Sequence, residues 1–198
     1  MSVKTETVDT YNKSAAALAK KFNAIGARVE DIEYVFSYCG KSNPFVLEIG
    51  CGNGRDAQEI IKRTNNYLGI DISQELLNIA QKSLPETIFT VADVEEFTFP
   101  QDIDIVFAFA SLIHVPKEGF FNIMEQLFES VTKHGLVFVS LKYSDVYEQV
   151  TKEDEFGTRT YWHYSQSDVQ NLAAGFTVAH TSIQEIAGQM WIDVLYQK

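Results

Sequence analysis

The sequence predicts an α/β fold: a mostly parallel sheet with helices on both faces. Three observations predict it. Short apolar runs alternate with amphipathic stretches through the middle of the chain, as crossover units of a parallel sheet do. One such run, residues 45–49, ends in a turn with glycines at 50, 52 and 54 and leads into a helix-like segment. A second run, Leu68-Gly69-Ile70, ends in an acid, Asp71.

Each element has its own signal. Residues 8–23 read as a helix, with Leu18 and Phe22 at i, i+4, Ala15 and Ala19 on a neighbouring face, and Asp9 or Thr10 as cap. Residues 28–38 form a second amphipathic segment that gathers Val29, Ile32, Val35 and Phe36. Asn43-Pro44 then signals a turn. Strands are expected at 45–50, 66–71, 87–92, 104–110 and 135–141. Helical stretches lie between them at 55–63, 74–82 and 117–132, with a short connection at 94–99. Ser73 is placed to cap the 74–82 helix, and Pro85 closes the region after it. A short helix from Ser167 stops at Gly175. The β-like runs 176–183 and 191–196 are joined by a short link containing Gly188, which suits an antiparallel pair and not a crossover. Residues 142–164 lack a clean period and carry Tyr143, Tyr147, Phe156, Tyr161, Trp162, His163 and Tyr164. A segment of that kind after the fifth strand is expected to serve function at the sheet edge where strands end.

Size and charge narrow the function classes. A chain of 198 residues favours one domain, here 1–198, with residues 1–40 as an N-terminal helical lid and 143–164 as a substrate-side lid insertion. The formal charge is −11 and no basic run exceeds Lys20-Lys21, so nucleic acid is not an expected partner. No apolar run approaches the roughly 18 residues that a membrane span needs. The N-terminal residues also lack the apolar core of a signal peptide. The two cysteines, Cys39 and Cys51, are expected to be reduced thiols. A cytoplasmic location, a small-molecule substrate and no metal site follow as expectations.

The glycine spacing separates the cofactors that such a turn can hold. A nicotinamide fingerprint has the form G-x-G-x-x-G, whose third glycine allows close helix–strand packing. Counted from Gly50 that position is Arg55; counted from Gly52 it is Ala57, a relaxed register. The observed pattern is Glu48-x-Gly50-x-Gly52-x-Gly54. It resembles the first motif of class I S-adenosylmethionine-dependent methyltransferases of the small-molecule type. Asp71 matches the family's ribose-binding acid, Val91-Ala92-Asp93-Val94 its third-strand motif, and the segment from Asp104 to Val115 its fourth-strand motif. The resemblance covers roughly residues 10–198. It implies a Rossmann-like methyltransferase fold, with a seven-stranded sheet whose last strand is antiparallel and with S-adenosyl-L-methionine as cofactor.

The resemblance also implies roles. Gly50, Gly52 and Gly54 lie under the methionine and ribose parts, and Glu48 supports the turn or bonds its amides. Asp71 accepts from both ribose hydroxyls, Ile72 packs on the adenine, Asp93 meets its amine, and Val94 is a further cofactor-binding residue. Ala110 and Tyr11 approach the methionine end. His114 and His163 are the candidate general bases, needed only if the acceptor must lose a proton. Arg159, Tyr161 and Trp162 are candidate acceptor-binding residues, Arg159 suiting an acidic group. Plainer readings stay open: a structural imidazole at His114, a tyrosine packing the first helix at Tyr11, an aromatic lid without chemistry at 159–164, and a solvated Arg55. Two other functions stay open as well: a nicotinamide-dependent oxidoreductase, and a module that binds the cofactor without turnover. The fourth strand lacks the Asn/Asp-Pro-Pro-aromatic tetrad that marks methylation of base amino groups.

Overall fold

A computed structural model describes residues 2–186 and 188–198. Helices α1 (Val3–Lys13), α2 (Ala15–Ile25) and α3 (Val29–Tyr38) lead into β1 (Val46–Ile49), α4 (Ala57–Ile60), β2 (Tyr67–Asp71) and α5 (Gln74–Ser83). Then follow β3 (Phe89–Val91), β4 (Ile103–Phe109), a single 3-10 turn at Leu112–His114, α6 (Lys117–Ser130) and β5 (Val131–Tyr143). The chain ends with β6 (Glu148–Asp154), β7 (Gly157–Tyr164), α7 (Gln166–Asn171), β8 (Thr177–Ile186) and β9 (Gln189–Gln197).

Strands β3-β2-β1-β4-β5 pair in parallel in that order. β9 adds to β5 antiparallel, and β8 pairs antiparallel with β9. That makes the seven-stranded sheet the sequence implies, with β9 as its antiparallel member. Two further strands take the total to nine: β6 and β7 form a hairpin, and β7 joins β5 only at Lys142 and Tyr143. The aperiodic segment 142–164 is therefore largely a hairpin. Its period was hidden because β6 alternates polar with polar and is mostly exposed.

The central strands are buried on both faces, as parallel strands must be. All seven residues of β4 are buried. One face packs under α6 and α7, with Phe120, Ile123, Met124 and Leu127 of α6 in the core. Full burial of each contributes about 1.5–3 kcal/mol. The other face packs under α3 and α4 through Ile32, Val35, Ala57 and Ile60. So α3, grouped with the lid in the sequence reading, is mainly a sheet-covering helix that brings only its first turn, Val29 to Asp31, to the cavity.

The first helical stretch is two helices because Ser14 leaves helical geometry, at φ −107° and ψ 14°. Ser2 caps α1 by accepting from the Thr5 amide, the part expected of Asp9 or Thr10. Thr10 instead faces β7: its hydroxyl donates to the Thr158 carbonyl at 2.8 Å. Thr7 accepts from the Thr160 amide at 3.0 Å, and Ser14 donates to the Phe156 carbonyl at 2.7 Å. Positions 7, 10 and 14 share one helix face, so α1 lies along the free edge of β7. Ser73 caps α5, as expected, by accepting from the Leu76 amide.

Candidate functional site

The ends of β1, β2, β4 and β5, roofed by α1 and the β6–β7 hairpin, enclose a cavity of about 810 Å³. That lies within the roughly 300–1,000 Å³ typical of small-molecule sites. Gly50, Gly52, Asp71, Ile72, Asp93, Val94, Ala110, Tyr11, His114, Arg159 and Tyr161, all candidates from the sequence, line it.

The turn after β1 is fixed by its backbone. The Gly50 and Cys51 amides both donate to the Ile70 carbonyl, at 2.7 and 3.1 Å. The Gly52 amide donates to Asp71 Oδ2 at 2.8 Å, and Asp71 Oδ1 accepts from the Ser73 amide at 2.7 Å. Each carboxylate oxygen keeps a lone pair for a further donor. Burial raises the Asp71 pKa, opposed by the Ser73 and Gly52 amides. Gly50 has φ 72°, and a Cβ there would overlap the Ser111 side chain, so only glycine lets the ends of β1 and β4 meet. Gly54 does different work. It faces α5, where a Cβ would sit 3.2 Å from the Ala80 methyl, and it does not line the cavity. The sequence placed it under the ligand; here it allows close helix packing.

Glu48 also lies off the cavity. It is buried and accepts from the Tyr67 hydroxyl at 2.5 Å. Burial pushes its pKa up to about 8. The loop amides it was expected to hold are bonded to Ile70 and Asp71 instead, so Glu48 acts beneath the turn as a buried, protonated partner of Tyr67. Beside it, burial raises the Cys51 thiol well above its usual pKa, which makes the thiol inert.

At the far end of the sheet edge, Asp93 is paired with Lys4 of α1, which also reaches Glu95 at 2.6 Å. Ala110 ends β4 in the left-handed region, with φ 53°. An alanine there costs about 1–2 kcal/mol, and the pairing of its amide with the Ser140 carbonyl at 3.1 Å holds it.

Tyr11 and His114 form a linked pair. His114 Nδ1 lies 2.6 Å from the Thr160 carbonyl and therefore carries the proton; Nε2, 2.9 Å from the Tyr11 oxygen, accepts from that hydroxyl. Burial, helped by the Arg159 and Lys142 charges, lowers the His114 pKa to about 4. It is a neutral imidazole with both nitrogens engaged.

The hairpin supplies the other end. Arg159 pairs with Asp154, and among the described residues its Nε has no partner although the residue is only 6% exposed. Tyr161 lies between the His114 ring, at 4.9 Å, and the Lys142 ammonium, 3.8 Å from its centroid. Trp162 and His163 are not part of the lining. Trp162 points to the other side of β7 and stacks on Tyr147 at 5.3 Å, as strand alternation requires. His163 Nδ1 sits 3.3 Å from Glu148 on the neighbouring strand, and burial lowers its pKa. The structure therefore takes both out of the cavity.

Sequence reasoning missed Arg28, Lys142, Lys152 and Trp191, which line the cavity. Lys142 had a readable signal: a lone cation ending the apolar run of β5, where the other strands present their ligand-facing residues. Arg28 had none. It is placed by its amide bond to Asp56 at 2.9 Å and by the rings of Phe109 and Trp191. Arg55 is occupied by Asp56.

Comparison with known proteins agrees with this geometry. Residues 46–135 match the methyltransferase domain family. A ubiquinone biosynthesis O-methyltransferase from Hydrogenovibrio crunogenus is 29% identical over 115 residues, covering 55% of this chain and 47% of the relative. A trans-aconitate 2-methyltransferase from Acidovorax sp. is 30% identical over 98 residues, covering 48% and 37% respectively. The matched regions thus span less than half of these relatives. The solved magnesium protoporphyrin IX methyltransferase from Synechocystis PCC 6803, with bound S-adenosylmethionine, superposes with a TM-score of 0.76 at 16% identity, covering 100% of this chain and 98% of that one. At that identity the likeness is one of fold. The matches set aside the nicotinamide register, which the misplaced third glycine already disfavoured. Glycine turn, sheet order and comparisons agree: residues 46–135 match a methyltransferase domain, and the chain has the fold of solved S-adenosylmethionine-dependent methyltransferases.

Proposed function

We propose that the protein is an enzyme that transfers a methyl group from S-adenosylmethionine to a small-molecule acceptor. One observation carries the proposal: the acid at the end of β2, the glycine turn, the end of β4 and the hairpin share a single cavity of about 810 Å³. A binding site for the cofactor alone has no need of a polar extension beyond Ala110.

The residues fit the cofactor. Asp71 has lone pairs free for a diol, and the Cβ direction at Gly52 is open space. When bound, S-adenosylmethionine supplies an electrophilic methyl carbon on a sulfonium leaving group. The chain's task is then to hold and align. Asp71 takes the ribose hydroxyls; Ile72, Asp93 and Val94 bound the adenine; Gly50, Gly52 and Ala110 place backbone along the methionine part. Tyr11 is fixed by His114, which we assign as a positioning residue. Orientation of this kind accounts for roughly 7–11 kcal/mol of a bimolecular barrier. α1 and the hairpin keep water out. Among the described residues no helix is long and apolar enough to cross a membrane, and we place the enzyme in the cytoplasm.

The test is calorimetry with S-adenosylhomocysteine and NAD, followed by a screen of metabolites for S-adenosylhomocysteine release. Saturable binding of the first ligand and turnover with at least one acceptor are expected. Heat with NAD alone would overturn the proposal; binding without turnover across the screen would make the domain a regulatory module.

A further inference from the structure

We infer that the acceptor is an organic acid, gripped by its carboxylate at the hairpin end of the cavity by Lys142, Lys152 and Arg159. This rests on the methyl-transfer proposal and names the substrate class for the same site.

The three cations come from three strands and converge on the cavity. Lys152 and Arg159 are register partners across β6 and β7. Like charges directly opposite one another destabilise a hairpin. Lys142, from the end of β5, lies over the Tyr161 ring beside them. Asp154 answers Arg159. Among the described residues neither lysine has a carboxylate within salt-bridge distance, and the one polar contact of Lys142 is Gln189 Oε1 at 3.4 Å. A net positive cluster inside a protein of formal charge −11 is against the grain of the whole chain. Folding alone gives no reason to gather it.

The Arg159 Nε–H is the sharper observation. A buried donor without a partner costs about 1–3 kcal/mol, and this one belongs to a guanidinium that lines the cavity. Nε itself is shielded, so an incoming carboxylate meets the guanidinium where it borders the cavity, together with the two ammonium groups. Tyr161, Ile186 and Trp191 line the same cavity and suit an organic body attached to the charge. Burial, together with Lys152 and Arg159, lowers the Lys142 pKa to about 8, a cost that a bound anion relieves.

The test uses the full chain saturated with S-adenosylhomocysteine and titrates benzoate and citrate, with benzamide and inorganic phosphate as controls. Both carboxylates are expected to bind saturably and benzamide not to bind. In the Lys142→Gln, Lys152→Gln double variant carboxylate affinity should fall tenfold or more, with S-adenosylhomocysteine affinity changed less than twofold. Arg159→Gln should behave alike; because Arg159 is buried, the lysine pair carries the test if that variant does not fold. A tenfold loss of S-adenosylhomocysteine affinity in the lysine variant would assign the cluster to the cofactor's own carboxylate and overturn the inference. Phosphate binding as tightly as the carboxylates, or no carboxylate binding to the loaded wild type, would overturn it too. Absence of S-adenosylhomocysteine binding by the wild type would instead bring down the methyl-transfer proposal.

Discussion

The two ends of the cavity are built by opposite means. The end at β1 and β2 is made mostly from backbone: three hydrogen bonds from consecutive amides tie Gly50, Cys51 and Gly52 to Ile70 and Asp71, all within 22 residues of sequence. The end at the hairpin is made from side chains that meet across the chain, with Thr7 bonded to residue 160 and Lys142 lying over Tyr161. The first is rigid and generic, suited to a ligand that never changes. The second is assembled from exchangeable side chains, suited to setting a particular acceptor.

That contrast can be broken or sharpened by substitution. The largest effect is expected at Gly50→Ala. Overlap with Ser111 and the left-handed backbone together cost about 3 kcal/mol, or roughly 6–12 °C in Tm for a domain of this size. A wild-type melting curve would show that the turn is less constrained than its geometry indicates. Asp71→Ala should weaken S-adenosylhomocysteine binding by about 100-fold, the loss of two charge-assisted hydrogen bonds, while circular dichroism stays native. Affinity within threefold of wild type would remove Asp71 from the ribose.

Glu48→Gln sharpens the rigid end through pH. The folded-state pKa, about 8, lies above the unfolded value of about 4.3. The folded chain therefore keeps a proton that the unfolded chain releases, and stability is full below about pH 4.3 and falls as pH rises toward 8. The glutamine variant keeps an acceptor for Tyr67 and should flatten that slope, melting higher than wild type at pH 8. An unchanged slope would mean Glu48 is not the group responsible.

The smallest effects belong to the side-chain end. Tyr11→Phe removes the bond to His114 Nε2 and should lower kcat about tenfold or less, leaving S-adenosylhomocysteine affinity nearly unchanged. Because the His114 pKa is lowered to about 4, kcat/KM should show no step near pH 6.5, the ordinary imidazole value. An acid limb at that pH, lost in His114→Ala, would restore the histidine as a general base.

The same contrast explains what was legible in the sequence. The rigid end is written in contiguous residues: an apolar run, three glycines and an acid at fixed spacing, so Gly50, Gly52 and Asp71 could be read together as one site, and all three line the cavity. Gly54 and Glu48 belong to the same run, but spacing does not reveal which way a residue faces, and both turn into the interior. α4 is shorter than its apolar period because residues 55–56 and 61–63 remain in turns. The hairpin was invisible as strands because β6 lacks an apolar face, and its alternation is what sends Trp162 out and Tyr161 in. Lys152 became a neighbour of Arg159 only through that unseen register.

The hydroxyls of Thr7, Thr10 and Ser14 have one more effect. They occupy amide and carbonyl positions along β7 that would otherwise face solvent as a bare strand border. Such borders recruit strands from other molecules. A version of this protein trimmed of its first fourteen residues would lose more than a cover: it would expose a sticky ribbon, and self-association in concentrated solution would be its first symptom.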